Sequence, residues 1–280
     1  YKGDITLNDS DKTHIQATNL SFVAGKTAGS INVTKAINIQ GTATEVASAM
    51  TEAKFTASKA TVELSNAAHN LNELIQINNA TLGAITIHAD RKAIALEGST
   101  ANIKAALDGM GADYYKGNIT ITDNDSDPIQ ATHLKTIADT TSGTITVTKA
   151  INIKGSATEV ASAMTAAKFT ATKATIELSD AVHNLTQLKQ INDATNGAIT
   201  IHANRRNIPL TGAANVLAAA LDGITNYTGT INIEDTHNLD ELITINNATN
   251  NTITLTTPGE ALTGSTAQLK QALDGTITGN

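Results

Sequence analysis

One acidic stretch could bind a metal ion. Asp123, Asp125 and Asp127 alternate with other polar residues, and oxygen ligands at alternate positions suit a hard cation such as Ca²⁺. The EF-hand pattern fails here, because Pro128 stands where glycine is required and Leu134 where a bidentate glutamate would be. We therefore expect a solvated loop, with a weak calcium site as the alternative.

Histidines recur at corresponding positions along the chain. His69, His183 and His237 each directly precede an asparagine, whereas His88 and His202 each follow a short apolar run. A zinc site needs three or four converging ligands, and the H-x-x-x-H spacing is absent. Because duplication of a unit repeats every residue in it, we interpret these histidines as structural or surface groups.

No stretch carries a recognisable catalytic pattern. The 280 residues contain no cysteine, no G-x-S-x-G elbow and no glycine-rich phosphate loop. An active site is also normally a single asymmetric place, which near-identical repeats do not readily supply. The sequence therefore predicts a protein that is not an enzyme. It predicts no cofactor other than the calcium ion considered above.

The net charge and the hydropathy of the chain limit the classes of partner that we expect. The net charge is −7, which argues against nucleic acid, and the basic pairs Arg91-Lys92 and Arg205-Arg206 lack interleaved aromatics and are interpreted as a solvated rim. No apolar run approaches the roughly 18 residues of a membrane-spanning helix, so we expect no membrane insertion.

Because the first residue is Tyr1 rather than methionine, we expect an excerpt or a processed piece.

A tandem repeat organises the chain. Lys35–Leu64 is nearly identical to Lys149–Leu178, 114 residues later. Each period contains two related halves, which predicts stacked units that share one core. We expect one continuous repeat array of five half-units, which span residues 1–54, 55–114, 115–168, 169–226 and 227–280.

Each half-unit follows the same order of predicted elements. An alternating strand such as Ile231–Ile233 is followed by an amphipathic helix, as in Leu185, Leu188 and Ile191, and then by a turn such as Thr195–Gly197. Two further short strands and a second helix complete the half-unit. The predicted strands and second helices include Ile199–Ile201, Ile208–Leu210, Ile151–Ile153, Ala157–Ala167 and Ala213–Leu221.

Helix termini are marked independently of the hydrophobic pattern. Polar residues followed three positions later by an acceptor predict N-terminal caps, and glycines after the second helix predict left-handed C-terminal residues. The predicted caps are Thr42 with Glu45, Ser156 with Glu159, Ser265 with Gln268, Asn70 with Glu73, Asn184 with Gln187 and Asn238 with Glu241. The glycines are Gly109, Gly223 and Gly275.

Three asparagines recur at the end of the first helix. Asn78, Asn192 and Asn246 stand in I-N-[ND]-A-T runs. Buried backbone groups require partners, so we interpret these amides as partners of backbone groups at a corner rather than as a ligand site.

The element order predicts the fold class. A strand, a crossover helix and a further strand favour parallel pairing with right-handed connections. We expect a right-handed α/β solenoid of strand-helix coils, with a parallel sheet on one face and short helices on the other.

The recurring runs Y-x-G-x-I-T-I, I-N-x-A-T-x-G-x-I-T-[IL] and L-T-G-[SA]-x-x-x-L-x-x-A-L-D-G cover all five half-units. They resemble the tandem repeats of very large secreted cell-surface proteins of cyanobacteria and other aquatic bacteria, namely RTX or type I-exported adhesins and surface-layer-like exoproteins. The resemblance implies an extracellular location and a role as an adhesin, surface layer or envelope component. The G-G-x-G-x-D calcium nonapeptide of such proteins is absent here.

Two functions remain open at this point. The first is a structural extracellular protein, part of a surface fibre, surface layer or adhesin stalk, which self-associates end to end with further repeats or copies. The alternative is a recognition module that binds a glycan or a surface protein on one solenoid face. Sugar sites usually have aromatic platforms, and Tyr114, Tyr115, Tyr227 and Phe169 are few and lie at the starts of units.

Overall fold

The computed structural model describes residues 1–10, 12–33, 35–52, 55–56, 59–166, 169–170, 173–257 and 261–279. The chain forms two compact units. The first comprises Tyr1–Thr122 and Thr136–Thr148, and the second comprises Asp123–Lys135 and Lys149–Asn280. Both units contain short helices and parallel strands, so the predicted α/β class is confirmed.

Short strands and short helices alternate along the chain. The strands are β1 (Ile5–Leu7), β2 (His14–Gln16), β3 (Ile31–Val33), β4 (Asn38–Gly41), β5 (Phe55–Thr56), β6 (Thr61–Leu64), β7 (Ile85–Thr86), β8 (Leu96–Gly98), β9 (Ile119–Ile121), β10 (Ile129–Gln130), β11 (Ile145–Val147), β12 (Asn152–Gly155), β13 (Phe169–Thr170), β14 (Thr175–Leu178), β15 (Ile199–Thr200), β16 (Leu210–Gly212), β17 (Ile231–Ile233), β18 (Ile253–Leu255) and β19 (Ile277–Gly279). The helices are α1 (Ala17–Lys26), α2 (Ala43–Thr51), α3 (Leu71–Ala80), α4 (Thr100–Leu107), α5 (Ala131–Thr140), α6 (Ala157–Met164), α7 (Leu185–Ala194), α8 (Ala214–Leu221), α9 (Leu239–Ala248) and α10 (Thr266–Leu273). Two 3₁₀ turns, Ala89–Arg91 and Ala203–Arg205, lie between β7 and β8 and between β15 and β16.

In the first unit, strands form three separate ladders. Their orders are β1-β3-β5, β2-β4-β6-β7 and β8-β9-β11, and every pairing is parallel. Helices α1 to α4 pack in chain order, each against the next. Each strand and helix therefore meets its counterpart from the following turn of the chain, here called a coil.

The second unit repeats this arrangement. Its four-stranded ladders have the orders β10-β12-β14-β15 and β16-β17-β18-β19, again parallel throughout. Helices α6 to α10 pack in chain order.

The core of each coil consists of aliphatic side chains in register. Ile39 pairs with Ile15 on one side and Val62 on the other, and Ile153 is fully buried in the same way in the second unit. Full burial of such a side chain contributes about 1.5–3 kcal/mol. With no cysteine in the chain, columns of buried isoleucine, leucine and alanine provide the stabilising burial.

The predicted helix termini are confirmed. All six predicted pairs form capping boxes, in which the cap side chain and the acceptor three residues later bond each other's backbone N–H groups. Gly109, Gly223 and Gly275 adopt φ values of 75°, 69° and 101°, the left-handed region that glycine enters without a Cβ penalty.

A threonine turn joins each first helix to the preceding coil. In the second unit, Thr195 Oγ1 donates to the Ala174 carbonyl at 2.5 Å and accepts from Gly197 N at 3.0 Å. The threonine at the corresponding position of every half-unit donates to a carbonyl 21 to 24 residues earlier. These threonines are Thr27, Thr81, Thr141, Thr195 and Thr249.

Three expectations differ from the structure. The predicted single sheet is wrong, because the described strands form several small sheets: β3 and β4, for example, follow each other within one coil and join different sheets. The predicted strand Ile208–Leu210 lies instead at Leu210–Gly212. The helix predicted over Ala157–Ala167 ends at Met164, and its last predicted residue lies outside the described residues.

The threonine turn generates a stability prediction. A Cβ built on Gly197 would lie 2.1 Å from the Ala174 carbonyl oxygen, whereas one on Gly25 in α1 meets nothing within 4 Å. Gly197→Ala should therefore lower the free energy of unfolding by roughly 1–3 kcal/mol, and Gly25→Ala should leave it unchanged or raise it by up to about 1 kcal/mol. Urea unfolding of both variants measures this, and equal effects would contradict the turn geometry.

Candidate functional site

A buried histidine–tyrosine pair is the most constrained polar cluster of the first unit. His69 Nε2 lies 2.9 Å from the Tyr115 hydroxyl, which donates to the Ile94 carbonyl at 2.6 Å. His69 is 6% exposed and Tyr115 0%. Because the hydroxyl's hydrogen is directed at Ile94, the hydroxyl accepts from Nε2–H, which fixes the imidazole tautomer.

The second unit contains the same cluster. His183 Nε2 lies 3.1 Å from the Tyr227 hydroxyl, which donates to the Ile208 carbonyl at 2.5 Å. The rings meet edge to face, with centroids 6.0 Å apart, as in the first unit. Each tyrosine thus joins a histidine 46 or 44 residues earlier to a carbonyl 21 or 19 residues earlier.

Burial governs the ionisation of these pairs. It lowers the pKa of His69 below the ordinary 6.5, an effect that Glu73 partly offsets and Arg91 reinforces. Burial likewise lowers the pKa of His183, with Arg205 adding to the effect. Burial raises the pKa of Tyr115 and Tyr227 well above the ordinary value. The imidazoles are therefore neutral and the phenols protonated near neutral pH, and neither phenol is open to a substrate.

The third histidine of this series has a different environment. His237 is 5% exposed, and its Nδ1 is buried with no hydrogen-bond partner among the described residues. A groove of about 560 Å³ beside α9 is lined by His237–Glu241, Ala261–Thr263 and Gln268. A similar groove of about 500 Å³, lined by His69–Glu73 and Ala95–Glu97, lies beside α3.

The recurring asparagines bond backbone carbonyls, as the sequence predicts. Asn78 Nδ2 donates to the carbonyls of Ala105 and Asp108 at 2.7 and 2.8 Å. Asn192 and Asn246 donate to carbonyls near the end of the next helix, both at 2.8 Å. These amides satisfy helix C-terminal acceptors that lack intrahelical partners.

The basic side chains that the sequence predicts to form a solvated rim also contact other residues. Lys92 Nζ lies 3.7 Å from the centroid of the Tyr114 ring, and Arg206 Nε donates to the Ile201 carbonyl at 3.1 Å. Arg91 Nε donates to Asn66 Oδ1 at 2.7 Å.

The two units form equivalent polar clusters with exchanged residue types. In the first unit Asn66 Nδ2 donates to Asp90 Oδ2 at 3.2 Å. In the second unit the acid and amide change places, and Asn204 Nδ2 donates to Asp180 Oδ2 at 2.9 Å. Arg205 Nε lies 2.7 Å from Asp180 Oδ1. The Asn204 hydrogen bond is the main cause that lowers the pKa of Asp180, and the charges of Arg205 and His202 contribute.

The acidic stretch lies in a turn between β9 and β10. Ser126 N donates to Asn124 Oδ1 at 3.0 Å, and Asp125 and Asp127 are exposed. Within the described ranges, no three Asp, Glu, His or Cys side chains converge on a point where a metal ion could bind, and this holds for Asp123, Asp125 and Asp127. The calcium site stays a prediction.

Comparison with known proteins gives no match to a family model, to a curated protein or to a solved structure. In the part of the chain that the structure describes, no helix is long and apolar enough to cross a bilayer.

Sequence reasoning did not identify Tyr115 and Tyr227 as partners of the recurring histidines. The spacings His69–Tyr115 and His183–Tyr227 are 46 and 44 residues. A search for polar pairs that recur at nearly constant spacing in both periods would have selected them.

The buried histidines predict an acid-dependent stability. Folding depresses the histidine pKa, so unfolding takes up protons in acid. The stabilisation is complete above the unfolded-state value of about 6.5 and is lost as the pH falls through the lower folded-state pKa. His183→Gln should reduce the fall in unfolding free energy measured in urea between about pH 8 and pH 5. Val182→Gln, which alters an exposed side chain next to His183, serves as the control and should retain the full fall. An unchanged pH dependence in His183→Gln would contradict the prediction.

The exchanged acid and amide predict a compensating pair of substitutions. Asp180→Asn should lower the urea midpoint, because Arg205 loses its carboxylate. Adding Asn204→Asp should restore the midpoint, because the double variant reproduces the arrangement of the first unit. Asp193→Asn, which disrupts only the ion pair with Lys189 on α7, is the matched control. Adding Asn204→Asp to this variant should leave its urea midpoint unchanged. Additive effects of Asp180→Asn and Asn204→Asp would argue against the cluster.

Proposed function

We propose that this chain is a structural, non-enzymatic segment of an extracellular repeat protein, in a surface fibre, surface layer or adhesin stalk, and that it self-associates end to end. In this proposal the coils form a right-handed α/β solenoid. The cysteine-free composition and the resemblance of the repeats to secreted surface proteins support the extracellular location.

The single observation that carries the proposal is that three recurring kinds of polar side chain tie one coil to the next. The threonine turns, the asparagine amides and the histidine–tyrosine pairs all bond groups of a neighbouring coil. A mechanical element needs such ties throughout.

Apolar groups of the first and last coils of this segment are exposed where their internal counterparts are buried. Leu273 of α10 is 51% exposed, whereas Leu221, its counterpart in α8, is 0% exposed. Ile5 of β1 is half-buried, whereas Ile119, its counterpart in β9, is fully buried. A further coil, of the same chain or of a second copy, would cover these groups.

Negative-stain electron microscopy with and without a calcium chelator tests the proposal. We expect filaments or sheets of uniform width that persist in chelator. Loss of the assemblies on chelation would assign calcium to Asp123, Asp125 and Asp127, and Asp125→Asn should then abolish the calcium effect. Separate particles of one chain in both conditions would contradict self-association and favour the alternative, a module that binds a glycan or surface protein in the grooves beside α3 and α9.

A further inference from the structure

The turn after α7 contains the one Asn-Gly pair of the chain. Asn196 directly precedes Gly197, whose close approach to the preceding coil is described above. The corresponding turns of the other half-units also begin with a threonine, but their next two residues differ. These pairs are Ala28-Gly29, Leu82-Gly83, Ser142-Gly143 and Asn250-Asn251. Among the five turns, a reaction that requires asparagine before glycine is therefore confined to this one.

The backbone nitrogen that follows an asparagine can attack the side-chain amide of that asparagine. A bond forms between Gly197 N and Asn196 Cγ, the bond from Cγ to Nδ2 breaks, and Nδ2 leaves as ammonia, which takes up the proton lost by Gly197 N. Water then opens the resulting succinimide at either carbonyl and leaves an aspartyl or isoaspartyl residue at position 196. Glycine favours this attack because it has no Cβ and its backbone is conformationally permissive.

Asn196 is accessible to this reaction in the folded chain. It is exposed, and its side chain forms no hydrogen bond with a described residue. Gly197 N donates to Thr195 Oγ1 at 3.0 Å, which is a contact with a side chain rather than with a neighbouring strand. The attack therefore requires the loss of this contact and does not require the opening of a strand ladder.

The two products differ in their main chain. An aspartyl residue keeps the main chain and changes only the charge of an exposed side chain. An isoaspartyl residue carries the main chain through its side-chain carbon, which adds one carbon atom between Thr195 and Gly197. The turn has no room for this addition, because a Cβ on Gly197 would lie 2.1 Å from the Ala174 carbonyl oxygen, to which Thr195 Oγ1 also donates. With isoaspartate at position 196, Gly197 cannot keep both its approach to Ala174 and its hydrogen bond to Thr195.

The strand that follows depends on this turn. β15 begins at Ile199, two residues after Gly197, and Ile199 pairs with Ile176 of β14. Both isoleucines are buried. A displaced turn would therefore move a strand whose side chains are part of the core, and the second unit should lose stability.

We propose that Asn196 is a site of spontaneous deamidation and that the isoaspartyl product separates the turn after α7 from Ala174. The proposal rests on the local geometry of the second unit and is independent of the proposed extracellular and self-associating role. It assigns to this turn a chemical change that accumulates with the age of the molecule and that requires water but no enzyme.

Mass-spectrometric peptide mapping of the full chain, incubated in the folded state at mildly alkaline pH, tests the modification. Asn250 is the internal control, because it is exposed and the next backbone nitrogen, Asn251 N, donates to Thr249 Oγ1 at 3.0 Å, as in the turn after α7. The residue after Asn250 has a Cβ, whereas Gly197 has none. We expect deamidation at Asn196 to be at least several-fold faster than at Asn250.

A substitution at Asn196 provides the matched control. Asn196→Leu, which reproduces Leu82 of the corresponding turn, should abolish the change in this peptide. Peptide mapping keeps this site apart from Asp222-Gly223, an Asp-Gly pair that can form the same succinimide. Equal rates at Asn196 and Asn250, or deamidation of Asn196 only after the chain is unfolded in urea, would overturn the proposal.

Urea unfolding tests the structural consequence. Chains that carry isoaspartate at position 196, separated by chromatography, should unfold at a lower urea concentration than the parent chain. Freshly purified Asn196→Asp is the matched control and should unfold like the parent, because it changes the charge of an exposed side chain and leaves the main chain intact. Equal midpoints for the isoaspartyl chains and Asn196→Asp would overturn the separation of the turn from Ala174.

Discussion

The structure depends on the satisfaction of backbone carbonyls at the corner of each coil. A carbonyl buried between stacked coils loses its water, and leaving it unpaired would cost about 1–3 kcal/mol. The threonine turn supplies the donor from the next coil, and the glycine two residues later allows the close approach of the two chains. This contact sets the position of the following strand, and the register of the buried aliphatic columns follows from it.

The two buried tyrosines have the same role at a second corner. Each occupies volume that few other side chains of this aromatic-poor chain could fill, and its hydroxyl also satisfies a carbonyl. The histidine Nε2–H then donates to one lone pair of the hydroxyl oxygen. The result is a buried polar network in which each tyrosine hydroxyl both donates and accepts, in a core that has no disulfide to restrict it.

Local signals in the sequence were sufficient to predict the helix termini, because a cap and its acceptor are only three residues apart, as in Asn184 and Gln187. The turn after the first helix and the asparagine amides were also located, since the turn recurs in all five half-units and the asparagine in three of them. The division into several sheets was not predictable in the same way. Both β3 and β4 read as alternating apolar strands, and only the bend between them assigns the two strands to different sheets.

The candidate site shows the same limit. Sequence patterns identified His69 and His183 but not their tyrosines, because the partners stand more than forty residues apart and meet only when two coils have stacked. The exchange of Asp and Asn between the clusters at Asp90 and Asp180 was likewise invisible, since each half of the exchange looks like ordinary surface variation until the contacts are known.

The constant spacing of contacts between coils has an evolutionary consequence. The hydrogen bonds that join coils connect residues 19 to 46 positions apart, and the long repeat recurs after 114 residues. Unequal recombination in the encoding DNA that removes or adds one whole period would therefore keep both partners of nearly every contact, whereas the loss of a few residues would misalign an entire coil. Such a gene can change the length of its product in whole steps without passing through an unfolded intermediate form.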